Sequence, residues 1–317
     1  MRRRDLLASL WIGALGAATV PRKALAMTPD EIKSRVDAYR REALANFPLR
    51  LIETTGDQAL AKWQELKSSG QGSPVVLGGD DARDSFSNLL TPFGPNGPKI
   101  PPPSSVDEIL RAAAGIRFPD DLARRKKSDS DAAIARFKSD LAAKPDMPLM
   151  QIVEMKDGTR RAYTREETIA AMEAEPREPP LGEWPAEAAP SPGLSVATDI
   201  LKGTPLPKVY MGIAPTDDWT TIPAYLRWGG WNDCPAAETH VAAMRMWRDR
   251  YGAELIGMSF DTVNIRVTKR PKTREEALAL ARDQYVYCSD IIDQGVQTYS
   301  ALAAALMASD WWFFWWD

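Results

Sequence analysis

Histidine is almost missing from this chain: His240 is the single one in 317 residues. A His-rich metal site is therefore excluded. Cysteine is nearly as scarce, and Cys234 with Cys288 is the one intramolecular disulfide the chain can form. There is no P-loop, no G-x-G-x-x-G fingerprint, no G-x-S-x-G elbow and no H-E-x-x-H pair. The common nucleotide, hydrolase and metalloprotease motifs are thus missing, and no cofactor is expected. Positive charge is not in excess either, since the formal net charge is −3. The one basic cluster, Arg124-Arg125-Lys126-Lys127, sits beside Asp120, Asp121, Asp129 and Asp131 and reads as a solvated helix face. Nucleic acid and an anionic membrane surface are poor partners for such a chain.

What is present starts with a leader. Arg2, Arg3 and Arg4 precede Asp5-Leu6-Leu7, a mild apolar stretch with Gly13 and Gly16 follows, and Arg22 and Lys23 stand just before Ala24-Leu25-Ala26. A charged start, a short apolar stretch and a small-x-small site read as a signal peptide over 1–26, cleaved between Ala26 and Met27. Arg3-Arg4-Asp5-Leu6-Leu7 resembles the twin-arginine export pattern, with ordinary secretion and a retained anchor as alternatives. The expected location is the periplasm or the medium, with no stable membrane association after cleavage. The leader carries five cations and one acid, so its loss takes the net charge from −3 to −7.

The remaining 291 residues are enough for one large or two small domains. Two proline-rich stretches, 91–103 and 176–192, hold six prolines each. The second reads as a semi-rigid connector. The expected organisation is a helix-rich α/β region over 27–175, a connector over 176–200 and an aromatic-rich domain over 201–317. In the first region, residues 29–45 read as a helix, 49–54 and 74–77 as strands, and 59–66 as a helix that Asp57 can cap. Ser105 with Glu108 and Thr164 with Glu167 form capping boxes, and Lys156-Asp157-Gly158-Thr159 reads as a hairpin turn.

The C-terminal region reads as β-α-β-β-α-α-β. Strands are expected at 209–213, 255–258 and 263–267. A helix follows Pro235 with Val241, Met244, Trp247 and Tyr251 at helical spacing and ends at Gly252. Thr273 with Glu276 opens another helix, to Cys288, and a last one covers 298–307. Trp311, Trp312, Phe313, Phe314, Trp315 and Trp316 close the chain before Asp317. Alternate strand residues face opposite sides, so aromatics at every position predict a strand buried on both faces. The fold class is α/β (α+β as the alternative): a mixed β-sheet packed with helices, with the aromatic strand buried in the sheet.

Residues 207–317 carry a recognisable pattern: Trp228-Gly229-Gly230-Trp231-Asn232-Asp233-Cys234-Pro235, His240-Val241, Trp247-Arg248-Asp249-Arg250-Tyr251-Gly252, Tyr287-Cys288-Ser289-Asp290, Asp293-Gln294-Gly295 and the aromatic-Asp317 ending. This block resembles the bacterial domain-of-unknown-function 4253 family. Residues 49–79 look like the N-terminal portion of its longer members, while 115–200 have no counterpart. The resemblance implies a fold and a shared surface but no reaction; some members look like small proteins that neutralise toxins. An export leader departs from what the family implies.

Cys234, His240, Cys288 and Asp290 are the residues able to carry chemistry. Cys234, His240 and Cys288 are the candidate metal ligands, although C-x5-H and C-x-D match no common zinc spacing. Cys234 or Cys288 is the candidate nucleophile, with His240 as base and Asp290 orienting it. In an oxidising compartment the same two cysteines can pair as a disulfide, or they stay as two buried thiols. Asp218 or Asp217 reads as a helix cap and Asp290 as a turn residue. Two function classes follow. One is a binding or inhibitory module that holds a protein partner on an aromatic surface around Trp184, Trp219, Trp228 and Trp231. The other is a hydrolase or thiol enzyme built on Cys234, His240 and Cys288.

Overall fold

The structure, a computed structural model, describes residues 34, 47–82, 86, 104–143, 152–154, 160–162, 164–174 and 178–317. The leader with its Ala26/Met27 site, the helix expected over 29–45 (apart from residue 34, which is helical), the loop 91–103 and the turn at Lys156-Asp157-Gly158-Thr159 lie outside the described residues. The chain forms two compact units. One contains Ala123–Glu178; the other combines residues 30–122 with Pro179–Asp317.

The first unit holds most of α3 (Asp120–Ala143), a two-stranded sheet of β3 (Ile152–Glu154) and β4 (Arg160–Ala162), and α4 (Arg165–Ala174). The box expected before α4 is complete. Glu167 N–H donates to Thr164 Oγ1 at 3.2 Å, and the Glu167 carboxylate accepts from Thr164 N–H at 2.8 Å.

The second unit is built on a six-stranded mixed sheet in the order β1-β7-β2-β8-β9-β10. Its strands are β1 (Arg50–Thr54), β2 (Ser73–Gly78), β7 (Val209–Ala214), β8 (Glu254–Met258), β9 (Thr262–Arg266) and β10 (Trp311–Trp315). β2 and β8 run parallel, and every other neighbouring pair is antiparallel. β7 lies between β1 and β2, so the sheet takes strands from both sides of the 176–200 segment, which does not divide it as the sequence reading expected. That segment is a strap: Tyr299 N–H donates to Pro180 O and Ser300 N–H to Leu181 O, and Arg274 lies over the Trp184 ring at 4.4 Å. The short pair β5 (Thr198–Asp199) and β6 (Thr204–Pro205) is tethered at its end to Gly56, whose N–H donates to Leu206 O.

Each sheet face has its own core. On one side α1 (Ala59–Ser68) places Ala59, Trp63 and Leu66 against Val76, Met211, Ile213 and Ile256. On the other, α6 (Ala237–Tyr251), α7 (Arg274–Tyr287) and α8 (Tyr299–Ala308) bury Met244, Trp247, Leu280, Tyr287 and Leu302 against Val75, Leu255, Ile265, Trp312 and Phe314. β2 and β7 are buried along their entire length, as central strands covered on both faces must be.

Local signals mostly hold. Ser105 and Glu108 close a full box at α2 (Val106–Ala114), and Gly252 ends α6 in the left-handed region at φ 57°. Two differ. Asp57 does not cap α1, whose cap residue is Gln58 without a side-chain bond. At α7, Thr273 Oγ1 accepts from Glu276 N–H, but the Glu276 carboxylate reaches past it to Lys272 N–H at 2.8 Å.

The aromatic ending is β10 and lies in the main sheet, but as an edge strand paired with β9 alone. Its two faces are not equivalent. Trp312, Phe314 and Trp316 are 2 %, 0 % and 1 % exposed, whereas Trp311, Phe313 and Trp315 are half-buried. Phe313 and Trp315 stack on each other at 5.1 Å, and Arg266 lies over Trp311 at 5.8 Å. Aromatic stacking and a cation help to cover the outer face.

Candidate functional site

The loop between α5 (Ile222–Leu226) and α6 assembles the site. Gly229 and Gly230 both have positive φ, 103° and 83°, and between them they turn the chain so that Trp228 points inward while Trp231 points outward. Gly230 N–H donates to Pro235 O at 2.9 Å and, more weakly, to Cys234 O, which closes the loop. Pro235 then delivers the chain to α6, with His240 in its first turns.

His240 is fully buried. Tyr287 Oη lies 2.6 Å from its Nδ1, and Cys234 Sγ lies 3.5 Å from its Nε2. Burial pushes the imidazole down from 6.5 to about 3, partly offset by a hydrogen bond to the Pro235 carbonyl. A carbonyl only accepts and Tyr287 Oη is the partner of Nδ1, so we assign the tautomer with its proton on Nε2 and Tyr287 donating to Nδ1. Burial also raises Tyr287 well above its ordinary value, with the two cysteine sulfurs adding to it, so the phenol keeps its proton. Trp228 and Trp316 close over the imidazole at 4.6 and 5.8 Å between ring centroids.

The other two candidates hold the end of the chain. Cys288, itself 0 % exposed, donates its thiol to Trp315 O at 2.9 Å. The buried Asp290 carboxylate accepts from Asp317 N–H at 3.2 Å and from Gln294 Nε2 at 3.0 Å. Asp290 is thus a clamp on the closing strand rather than a simple turn residue. A buried carboxylate has to be hydrogen-bonded, and the backbone N–H of Asp317 supplies that bond. Cys234 and Cys288 are separate buried thiols in this structure.

Chemically, the cluster is closed. Thiolate catalysis needs an imidazole that takes the thiol proton and a carboxylate that orients it. Here a phenol occupies Nδ1, the imidazole resists protonation down to about pH 3, and no member of the cluster is more than 5 % exposed. Among the described residues no group of three or more His, Cys, Asp or Glu is placed to hold a metal ion. The surrounding tryptophans pack by shape. Trp247, Trp312 and Trp316 leave their buried indole N–H without an acceptor. Each orphan donor costs about 1–3 kcal/mol, and burying each ring returns about 4–6 kcal/mol, so burial wins.

The tryptophans proposed as a surface separate. Trp228 is 0 % exposed and belongs to the core, which corrects its assignment; its bulk fills the space between His240 and Trp316. Trp219 is half-buried in a short 3-10 turn, next to the Asp218 cap, whose carboxylate accepts from Thr220 N–H and pairs with Arg248 at 3.0 Å. Trp231 is half-buried and stacks flat on Phe260, with ring centroids 5.2 Å apart and planes 4° off parallel.

Phe260 is the residue that sequence reading missed. It is 39 % exposed, in the turn between β8 and β9. A large aromatic between Ser259 and Asp261, in an otherwise polar turn, was the available signal. The buried Trp228 pins that turn, since its indole N–H donates to Ser259 O at 2.9 Å and to Phe260 O at 3.1 Å. Asp261 O accepts from Trp316 N–H, and Asn232 Nδ2 donates to Asp317 O at 3.0 Å. Asn232, Asp261 and Asp317 are all exposed. Loop 229–233, the β8–β9 turn and the chain end therefore form one surface above the closed cluster.

A groove of some 850 Å³ lies elsewhere, on the α1 side of the sheet, lined by Trp63, Lys67, Glu254, Arg266 and Asp310 among others. None of the cysteines or His240 lines it; Lys67 pairs there with Glu254 and Arg266 with Asp310, while Arg270 donates to Ala308 O.

The fold and site define a mixed α/β domain with a buried polar cluster that locks its own last strand. Residues 210–317 match the family model described as Domain of unknown function (DUF4253), and Cys234, His240, Tyr287, Cys288, Asp290, Trp231 and Phe260 all lie within that stretch. No curated protein and no solved structure matches the chain. Among the described residues no helix is long and apolar enough to cross a membrane.

The chain's lone imidazole allows a clean pH test. The unfolded chain binds a proton near pH 6.5, and the folded one resists it to about pH 3, so stability present above pH 6.5 is lost as pH falls through that window. Between pH 7 and pH 5.5 the loss is about 1 kcal/mol. Urea midpoints at the two values measure it. His240→Gln, which can still accept from Tyr287, should flatten the slope; an unchanged slope in that variant overturns the assignment.

Proposed function

We propose that this is an exported protein-binding module, inhibitory in the manner of immunity proteins, and that it engages its partner through the Trp231–Phe260 surface. One observation carries the reading. The same loop that seals the thiols and imidazole inside sets a stacked aromatic pair outside, with exposed carboxylates at Asp261 and Asp317. Exposed aromatics on a pinned turn are what interface anchors consist of, while enzymes need their reactive groups within reach of substrate.

Affinity capture with the intact chain and with Trp231→Ala/Phe260→Ala tests it. A stoichiometric protein partner held by the first and lost by the second is expected. The same proteins retained by both would refute the surface. The thiol-enzyme alternative predicts rapid labelling of native Cys234 or Cys288 by a small disulfide reagent; we expect labelling only after denaturation.

Export by the twin-arginine route, with cleavage after Ala26, is part of the proposal and rests on Arg3-Arg4 and the apolar stretch behind them. Arg3→Lys with Arg4→Lys should leave the uncut precursor in the cytoplasm. Undiminished export of that variant would point to ordinary secretion.

A further inference from the structure

We infer that the partner presents an arginine-bearing basic segment, laid on Phe260 with its guanidinium between Asp261 and Asp317. This rests on the binding reading above and specifies the partner's chemistry. One face of Phe260 is taken by Trp231, and the ring is still 39 % exposed, so it remains open to a second planar group. Among the described residues, no cation pairs with the carboxylates next to it, Asp317 at the chain end and Asp261 in the turn. Asp261 accepts only hydroxyls, from Ser259 at 3.2 Å and Thr262 at 2.9 Å, both on Oδ1. Asp317 is held through its backbone, by Asn232 Nδ2 and by the Asp290 carboxylate.

These bonds hold the Asp261 side chain and the Asp317 backbone in place before anything binds. Asn232 stands in the left-handed region at φ 46°, and a Cβ on Gly230 would meet nothing within 4 Å, so the approach over the loop is open. A cation over an aromatic face is attracted by the ring quadrupole, and arginine adds a plane that stacks and a fork that matches carboxylates. The negative balance of the chain favours a positively charged partner and disfavours anionic lipid. Lysine would satisfy the charge but not the stack.

The probe is an eight-residue peptide alternating arginine and glycine, titrated into the full chain and followed by nitrogen-15 amide and indole resonances. We expect saturable shifts at Gly230, Asp261 and the Trp231 indole, with none from the peptide in which citrulline replaces arginine. Phe260→Ala and Asp261→Asn, both at exposed positions, should each weaken binding about threefold to tenfold with unaltered melting. Absence of saturation, equal binding by citrulline, or affinity indifferent to both variants overturns the inference. The two readings fail separately. A captured partner that is lost with Trp231→Ala/Phe260→Ala yet not displaced by the arginine peptide sinks the basic segment and leaves the binding module standing.

Discussion

Removal of residues 311–317 is expected to abolish folding. The deletion takes away Trp312, Phe314 and Trp316, each at most 2 % exposed. Rings of this size bury about 150–250 Å² each, which at about 25 cal/mol per Å² is on the order of 15 kcal/mol for the three. Compaction of the unfolded chain lowers that to roughly 9–13 kcal/mol. A domain has about 5–15 kcal/mol in total, so the loss is comparable to the whole. Further costs follow: Asp290 loses the Asp317 N–H, Cys288 loses the Trp315 carbonyl, and the buried Val263 and Ile265 of β9 become an edge.

The truncated chain should accumulate as insoluble protein without a cooperative melt. A soluble truncation with a sharp transition would show β10 to be peripheral. Point variants separate burial from mere length. Phe314→Ala should cost about 3–5 kcal/mol, and Phe313→Ala, on the half-buried face of the same strand, clearly less. Equal costs would contradict the register, in which Phe314 opposes Val263 and Phe313 opposes Asn264.

That register illustrates what could be read in advance. Six aromatics in a row announce a buried strand, and the order of elements in the last third follows from period and caps alone. Whether the strand sits at the centre or the edge depends on which strands pair, and pairing is long-range. Nothing local in residues 73–78 says that they run parallel to 254–258, or that β7 slips between β1 and β2. The site was legible by composition and not by geometry. Cys234 and His240, both candidates for chemistry, do meet, but Tyr287 stood out only as part of the family pattern and so its place on Nδ1 was invisible. Asp290 read as a turn residue because its partner, Asp317 N–H, is reached only through the fold. Trp228 and Trp231 look equivalent in sequence. Their opposite fates are decided by the two glycines between them.

Those glycines should respond very differently to the same substitution. A Cβ on Gly229 would stand 2.0 Å from the Pro235 carbonyl oxygen and 2.7 Å from His240 Nε2. Neither neighbour can retreat. Pro235 O already accepts from Gly230 N–H and the imidazole, and the His240 ring is wedged between Trp228, Trp316 and Tyr287. Gly229→Ala therefore combines a left-handed backbone with a clash against main chain, and should cost at least about 3 kcal/mol. On Gly230 the same methyl group meets nothing within 4 Å, which leaves only the backbone penalty of φ 83°, about 1 kcal/mol. Urea midpoints of the two variants decide the matter, and a Gly230→Ala protein as unstable as Gly229→Ala would mean that the loop does not bury its first glycine. The pair also reaches the surface. Gly229→Ala displaces Trp228, whose indole N–H holds the Ser259 and Phe260 carbonyls, so in any protein that still folds, partner capture through the Phe260 turn should fall with it. Gly230→Ala leaves that bond alone, and the two losses must therefore separate.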